Sequence, residues 1–162
     1  MSIFTCPVCG QRLEKEGAQM KCPSGHSYDI SRRGYVNLLM SQASSKKRHG
    51  DDGEMVSART KFLSSGHYDR LRDEVSRIAS ELLPSGGTVV DIGCGECYYT
   101  EHLAKTFADK SIPCEIYGVD ISKKALDAAG KRNCGASLAV ASAFSLPIAD
   151  ESTDLILNLF AP

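Results

Sequence analysis

The chain has almost no net charge and no long apolar run. Its 162 residues carry 19 basic and 20 acidic side chains, which gives a formal net charge of −1 at pH 7. A global electrostatic attraction to nucleic acid is therefore excluded, and any attraction must come from a local patch. No apolar stretch reaches the length of a membrane-spanning helix, and the N-terminal sequence lacks the pattern of a signal peptide. We therefore expect a cytoplasmic protein that does not enter a membrane.

Apolar side chains are also scarce in residues 1–30, and they are too few for a separate core. The same segment contains the pattern C-x2-C-x12-C-x3-H, formed by Cys6, Cys9, Cys22 and His26. Two close pairs of such ligands are typical of tetrahedral zinc, and the metal would replace the missing core. A disulfide pair is the alternative, but three cysteines leave one thiol over and no export signal is present. The pattern therefore predicts a zinc site.

A strand in the second half of the chain runs directly into a glycine turn. Residues 88–92 are rich in β-branched side chains, and Gly93 and Gly95 follow, where the backbone can turn sharply and approach a ligand. Apolar residues then recur at helical spacing, so the turn opens a helix whose N-terminus faces the ligand. A second strand ends at Asp120, whose carboxylate can accept both hydroxyls of a ribose. These features predict a nucleoside-binding site.

The turn lacks the third glycine of a dinucleotide-binding loop, because Tyr98 occupies that position. Asp91 and Glu96 place negative charge where a pyrophosphate would lie. An ammonium group, reached directly or through water, would be favoured there instead. S-adenosylmethionine joins a nucleoside to a sulfonium and an amino acid, so it is the cofactor that this loop favours. NAD is the alternative, and it would make the protein an oxidoreductase.

Four strands can be placed in this part of the chain, and helical segments separate the first three. The strands cover residues 88–92, 115–120, 137–141 and 153–159. Ser122 is expected to cap the helix that follows the second strand. The alternation predicts an α/β fold with a doubly wound parallel sheet, in the strand order 3-2-1-4. Strand 153–159 would then form an apolar open edge, where we expect association or a homodimer.

Two further helices are predicted before the sheet, at residues 54–64 and in the segment that ends at Pro84. They are expected to cover one side of the sheet. The side chains predicted to face the core are Met55, Ala58, Phe62 and Leu63 in the first helix, and Leu71, Val75, Ile78 and Leu82 in the second.

A run of basic residues joins the two parts of the chain. It consists of Arg32, Arg33, Lys46, Lys47, Arg48, Arg59 and Lys61. Runs of this kind bind phosphate groups in some proteins and are only solvated in others, so RNA binding stays open at this point. We divide the chain into a zinc-binding, RNA-recognising module at 1–37, a basic linker at 38–53 and a cofactor domain at 54–162.

Together these motifs resemble the bacterial 23S ribosomal RNA guanine-N1 methyltransferases of the RlmA type. The resemblance spans the whole chain and rests on the two cysteine knuckles and on residues 34–39, 66–68, 91–96 and 118–123. It implies a class I, Rossmann-like methyltransferase domain behind a zinc module, with S-adenosylmethionine and Zn²⁺ as cofactors and 23S ribosomal RNA as partner. It also implies zinc at the four ligands named above. The cofactor contacts that it implies are Tyr68, Gly93, Gly95, Glu96 and Asp120.

Two departures from the family pattern bear on activity. Cys97 stands where the family has a glycine, and we expect its side chain to weaken cofactor binding. Members of the family also continue past this length and supply much of the pocket for the target base. We therefore expect residues 1–162 to fold the zinc module without methylating RNA, and a non-catalytic RNA-binding fragment is the alternative. Asn158, near the end of the last strand, is our candidate for positioning the base.

Overall fold

The computed structural model describes residues 2–40 and 50–161. Much of the predicted linker, with Lys46, Lys47 and Arg48, lies outside the described residues. The strands and helices are, in chain order, β1 (Glu14–Glu16), β2 (Gln19–Lys21), β3 (Ser27–Asp29), β4 (Tyr35–Asn37), α1 (Gly53–Leu63), α2 (Asp69–Leu82), β5 (Gly87–Ile92), α3 (Tyr98–Asp109), β6 (Cys114–Asp120), α4 (Lys123–Arg132), β7 (Ser137–Val140) and β8 (Leu155–Leu157). No described helix is both long enough and apolar enough to cross a membrane.

The first three strands form a small antiparallel sheet in the order β1-β2-β3. Met20 on the central strand lies opposite Lys15 on one side and Tyr28 on the other. Each of these strands has only three residues, and so short a sheet is not stable by backbone pairing alone. Its stability must come from a metal or from packing against the rest of the protein.

The other strands form a five-stranded parallel sheet in the order β4-β7-β6-β5-β8. The predicted order 3-2-1-4 is confirmed for the last four of these, although β8 is shorter than the predicted strand 153–159. The additional strand, β4, lies at the edge, where Val36 pairs with Ala139. We assigned this strand to the zinc module, yet it completes the larger sheet. Three residues carry no readable periodicity and their partner is distant in the chain, so the sequence did not predict this pairing.

Side-chain caps begin two of the helices. The Asp52 carboxylate accepts hydrogen bonds from the backbone N–H groups of Glu54 and Met55 at the start of α1. The Ser122 hydroxyl accepts from the Ala125 N–H at the start of α4, which confirms the predicted cap. Such caps satisfy backbone donors that have no partner within the helix, and each contributes about 1 kcal/mol.

The helices are present as predicted, but α1 and α2 do not bury the predicted faces. In α1 the buried side chain is Val56, whereas Met55 and Phe62 are about half exposed. In α2 the predicted apolar stripe faces outward, and Leu82 is 62% exposed. The apolar spacing therefore identified both helices correctly and assigned both faces wrongly.

The reason for the second error is the close packing of α2 against α3. The buried residues of α2 are Ser76, Ala79 and Ser80, whose small side chains let the two helix axes approach. The Ser76 hydroxyl oxygen lies 3.0 Å from Nδ1 of His102 on α3. A search for apolar residues predicts that this serine-containing face of α2 is exposed to solvent, whereas it is the face that packs against α3.

One face of the parallel sheet is covered by helices. Val89 and Ile116 pack there against Leu103 and Phe107 of α3, all four of them buried. Farther along the sheet, buried side chains of β7 pack against Leu126 of α4. Apolar burial on this face stabilises the domain in the manner usual for α/β folds.

The opposite face of the sheet is covered by the N-terminal module. Val90, Tyr117 and Val119 form one core with buried residues of the module, among them Ile3, Phe4, Leu13 and Met20. The Phe4 and Tyr117 rings make an edge-to-face contact with their centroids 5.3 Å apart. Backbone hydrogen bonds link the same region, from the Thr5 N–H to the Pro147 carbonyl and from the Ala149 N–H to the Ile3 carbonyl. The few apolar residues of the module therefore share the core of the sheet.

We predict that Phe4→Ala lowers the free energy of unfolding by about 3 kcal/mol, because it empties a fully packed site between the module and the sheet. Urea unfolding followed by circular dichroism measures the change. Val8→Ala is the control, since Val8 belongs to the same module but is 54% exposed. Equal losses in the two variants would contradict a shared core.

Candidate functional site

The four predicted metal ligands come together in the N-terminal module. The Sγ atoms of Cys6, Cys9 and Cys22 and Nδ1 of His26 all lie within 4.8 Å of one another. Cys9 Sγ is 3.7 Å from Cys22 Sγ, and the His26 nitrogen is 3.4 Å from Cys22 Sγ and 3.6 Å from Cys6 Sγ. A tetrahedral zinc ion would place two sulfur ligands about 3.8 Å apart, and sulfur and nitrogen ligands about 3.6 Å apart. The donor set therefore fits zinc, and all seven cysteines are free thiols rather than disulfides.

Neighbouring polar groups hold these ligands in place. The Tyr28 hydroxyl lies 3.1 Å from Cys6 Sγ, where it can donate to a thiolate. Burial raises the pKa of the Cys6 thiol, but hydrogen bonds from Tyr28 and from the backbone at Cys9 lower it to about 6 overall. Gln11 joins the two knuckles, because its side-chain oxygen accepts from the Ser24 hydroxyl at 2.6 Å and from the Ser24 N–H at 3.1 Å. Outer contacts of this type orient metal ligands and favour their charged form.

The glycine turn between β5 and α3 has the predicted sharp geometry. Gly93 and Gly95 have φ angles of 75° and 55°, in the region that favours glycine. A Cβ on Gly93 would lie only 2.4 Å from the Cβ of Ala161, so this position has no room for a side chain. Cys97, where the family pattern has glycine, is also left-handed with a φ of 63° and is fully buried. A side chain in this conformation costs about 1 kcal/mol, which the surrounding structure must offset.

Asp120 at the end of β6 is bonded to this turn. One carboxylate oxygen accepts from the Gly95 N–H at 2.8 Å, and the other accepts from the Ser122 N–H at 2.7 Å. Burial raises the pKa of Asp120, and these two backbone donors lower it in part. The carboxylate therefore lies beside the glycine turn, as predicted for a ribose ligand.

The other two predicted acids are more deeply buried. The Asp91 carboxylate accepts from the Thr100 hydroxyl at 2.6 Å, and burial raises the pKa of Asp91 to about 6. The Glu96 carboxylate accepts from the Thr60 hydroxyl and forms an ion pair with Arg132 at 3.2 Å. Burial raises the pKa of Glu96, and Arg132 lowers it in part. Asp91 and Glu96 thus hold α3, α1 and α4 around the turn in this structure.

A cavity of about 330 Å³ opens at the carboxyl ends of the strands, beside the turn and Asp120. Residues 141–144 line it on one side. Phe144 and Phe160 also line it, and both are mostly exposed, at 90% and 75%. The remaining lining residues are Gly50, Asp51, Arg59, Gly93, Val119, Ile121 and Ala161.

Neither Tyr68 nor Asn158 is among the residues that line this cavity. The Tyr68 ring contacts the lining residue Phe160 edge-on with centroids 5.8 Å apart, so Tyr68 lies just outside the lining. Asn158 is exposed and follows β8 directly, but it is not among the lining residues. Sequence reasoning missed Asp51 and Arg59, which lie in the cavity wall. Their only signal was membership of a charged run, where a residue facing a site looks the same as a solvated one.

We predict that the purified chain contains one zinc ion and that Cys22→Ala no longer retains it in stoichiometric amount, because three ligands hold the metal less tightly than four. Metal analysis by mass spectrometry after gel filtration measures the ratio. Cys114→Ala is the control, since Cys114 is a partly exposed thiol in β6. Full zinc retention by the Cys22 variant would show that the ligand set is wrong.

We predict a pH-dependent gain in stability for Asp91→Asn. The pKa of Asp91 is raised to about 6 in the folded protein, so the unfolded chain loses this proton at lower pH and stability falls as pH rises from about 4 to about 6. Asparagine does not titrate, so the variant should gain on the order of 2 kcal/mol over the parent by pH 7. Unfolding curves at pH 4 and pH 7 test this, with Asp109→Asn on the exposed end of α3 as control. A gain that is equal at both pH values would contradict the assignment.

Comparisons with known proteins agree with both parts of this structure. Residues 4–47 match the zinc ribbon described as RlmA, N-terminal, and residues 90–161 match the methyltransferase domain family. Among solved structures, a Methanococcus maripaludis protein provisionally described as an S-adenosyl-L-methionine-dependent methyltransferase superposes with a TM-score of 0.59. It is 20% identical, over 72% of this chain and 54% of its own. Such a likeness establishes the fold, which is that of S-adenosylmethionine-dependent methyltransferases.

Two curated relatives match nearly the whole chain. A Streptomyces fradiae protein named 23S rRNA (guanine(748)-N(1))-methyltransferase is 35% identical over 97% of this chain and 55% of its own length. A Micromonospora griseorubida protein, provisionally named a 23S rRNA (guanine-N(1)-)-methyltransferase, is 36% identical over 97% of this chain and 57% of its own. The chain thus spans a little over half the length of these relatives. By its zinc ribbon, its methyltransferase domain and these relatives, the chain belongs to the RlmA-type family of 23S rRNA (guanine-N1)-methyltransferases.

Proposed function

We propose that the chain binds S-adenosylmethionine in the cavity beside the glycine turn, and that the complete enzyme transfers the methyl group of this cofactor to N1 of a guanine in 23S ribosomal RNA. The observation that carries the proposal is the position of Asp120. Its carboxylate ends β6 beside the turn that follows β5, at the mouth of the cavity. In open parallel sheets, nucleoside ligands bind at such a crevice and an acid there reads the ribose.

The surrounding residues suit the other parts of the cofactor. Gly93 and Gly95 let the backbone approach the ligand closely, and residues 141–144 offer a wall for the adenine. Asp91 and Glu96 supply negative charge for the ammonium group of the cofactor, directly or through water. Tyr68, which contacts the cavity-lining Phe160, borders the amino-acid part of the cofactor. The same acids would repel a pyrophosphate, which disfavours NAD.

The chemistry requires alignment more than acid or base strength. S-adenosylmethionine supplies a methyl group on a positively charged sulfur. Guanine N1 must lose its proton, which passes to solvent, and the N1 anion then attacks the methyl group in an in-line displacement that releases the neutral thioether and neutralises both charges. The protein contributes orientation and a site that excludes water. We assign positioning of the target base to Asn158. This residue is exposed at the carboxyl end of β8, two positions before the cavity-lining Phe160 in the chain. A flipped base is usually held by hydrogen bonds to its edge and by an aromatic face.

The choice of RNA as substrate rests on the relatives and on the N-terminal module. We propose that Cys6, Cys9, Cys22 and His26 bind zinc and thereby fix the small sheet for contact with RNA. Arg32 and Arg33, in the turn before β4, are exposed and can reach phosphates. The cytoplasm, where ribosomes are made, is the location that this function requires. Association through the open edge of β8, where Ile156 is 57% exposed, remains our proposal for a homodimer.

We predict that Asp120→Ala weakens the binding of S-adenosylhomocysteine, the product form of the cofactor, by about 1 to 3 kcal/mol, because ribose hydroxyls and the Gly95 N–H lose a charged partner. Isothermal titration calorimetry measures the affinity, and NAD should give no binding heat. Asp150→Ala, which removes an exposed acid from a loop, is the control. Unchanged affinity in the Asp120 variant would contradict the assignment.

The transfer reaction itself is tested with the full-length protein, unmodified large-subunit RNA and tritiated S-adenosylmethionine, beside residues 1–162, for which we expect no incorporation. Primer extension locates the product, because a methyl group on guanine N1 blocks base pairing and stops reverse transcription. The proposed function requires incorporation that coincides with a stop at one guanine and that Asp120→Ala reduces. Cofactor binding without any methylation of the RNA would favour the non-catalytic RNA-binding alternative.

A further inference from the structure

An ion pair lies in the wall of the cofactor cavity. Arg59 on α1 contacts the Asp51 carboxylate, and both side chains line the cavity together with Asp120. The Arg59 side chain is half exposed, whereas the Asp51 side chain is only 18% exposed. The buried carboxylate oxygen of Asp51 is the one that the Arg59 guanidinium contacts, and no other partner of this oxygen is described. None of the proposed contacts with the ribose, the adenine or the ammonium group uses this ion pair.

The other charged residues that line the cavity are acidic. They are Asp51 and Asp120, and the buried Asp91 and Glu96 flank the glycine turn without lining the cavity. Among the lining residues that the structure describes, Arg59 is the one with a positive charge. Its charge acts on both neighbouring acids: burial raises the pKa values of Glu96 and Asp120, and Arg59 lowers each of them in part.

The proposed cofactor carries one group that this acidic cavity would reject. Its adenosine is neutral, and its sulfonium and ammonium groups are cations, but its amino-acid part ends in a carboxylate. A carboxylate buried among acids requires a cationic partner, and guanidinium is the side chain best matched to it, with two parallel hydrogen bonds. Arg59 is the described residue of this wall that can supply them.

We propose that Arg59 binds the carboxylate of the amino-acid part of S-adenosylmethionine, and that it exchanges Asp51 for this ligand when the cofactor enters. The inference rests on the proposed function and adds a residue and a step to it. The geometry allows the exchange, because Asp51 directly precedes the Asp52 cap of α1 and the Arg59 side chain is the more exposed of the two. Asp51 itself is held from the backbone, since its carbonyl accepts from the Ser122 hydroxyl at 2.7 Å. It therefore stays in place when Arg59 turns to the ligand.

The test compares two ligands that differ only at the amino-acid end. S-adenosylhomocysteine carries the carboxylate, and methylthioadenosine keeps the adenosine and the thioether but lacks the amino acid. Titration calorimetry on the whole chain should show that Arg59→Gln weakens S-adenosylhomocysteine about tenfold and leaves methylthioadenosine unchanged. Arg59→Lys should restore part of the difference. Lys61→Gln is the matched control, because it removes a positive charge from an exposed position on the same helix.

A second variant tests the exchange step. Asp51→Asn removes the competing charge, so S-adenosylhomocysteine should bind several-fold more tightly and methylthioadenosine as before. The Ser122 contact uses the backbone and is retained in this variant. Binding of S-adenosylhomocysteine that is not tightened would refute the exchange.

The outcomes separate this inference from the proposed function. If Arg59→Gln weakens both ligands equally, or neither, Arg59 does not bind the carboxylate and the inference is wrong, whereas the cofactor assignment stands. If the parent chain binds neither ligand, the proposed cofactor site fails, and this inference fails with it. Thermal unfolding of each variant confirms that the fold is intact.

Discussion

The fold depends on a hydrophobic core that the N-terminal module and the parallel sheet build together. The three-residue strands β1 to β3 cannot form a stable sheet alone, and the face of the larger sheet that carries Val90 and Tyr117 needs a cover. The module supplies that cover through Phe4 and other buried residues, and the predicted zinc ligands Cys6 and Cys22 belong to the same core. The metal site and the shared core are therefore continuous. Neither contribution by itself accounts for the position of the module.

The cofactor site contrasts with this core, because it concentrates charge that opposes folding. Asp91 and Asp120 are largely buried carboxylates with raised pKa values, and few cations compensate them. A protein selected only for stability would replace Asp91, whose charged form is destabilised by burial. Its retention is understandable if the site must attract a ligand with cationic groups. Arg132 and Arg59 reduce the repulsion only at the edges of the acidic region.

Local patterns made a large part of this structure predictable. The spacing of Cys6, Cys9, Cys22 and His26 reflects the dimensions of a tetrahedral site, and four strands with their order followed from alternation and glycine turns. The errors concern features that depend on distant partners. Strand β4 was missed because its partner lies far along the chain. The outward face of α2 was missed because serine and alanine allow close helix packing, which a search for apolar residues does not detect.

The loop between β7 and β8 connects the two ends of the molecule. Its first residues, 141–144, line the cofactor cavity, and its later residues, Pro147 and Ala149, are hydrogen-bonded to Thr5 and Ile3, next to the predicted zinc ligand Cys6. The zinc module and the cofactor cavity therefore contact the same loop at opposite ends. By thermodynamic linkage, a ligand that orders this loop at one end lowers the entropic cost of ordering it at the other. Zinc bound in the module would then contribute to the affinity for a nucleoside that the metal never touches.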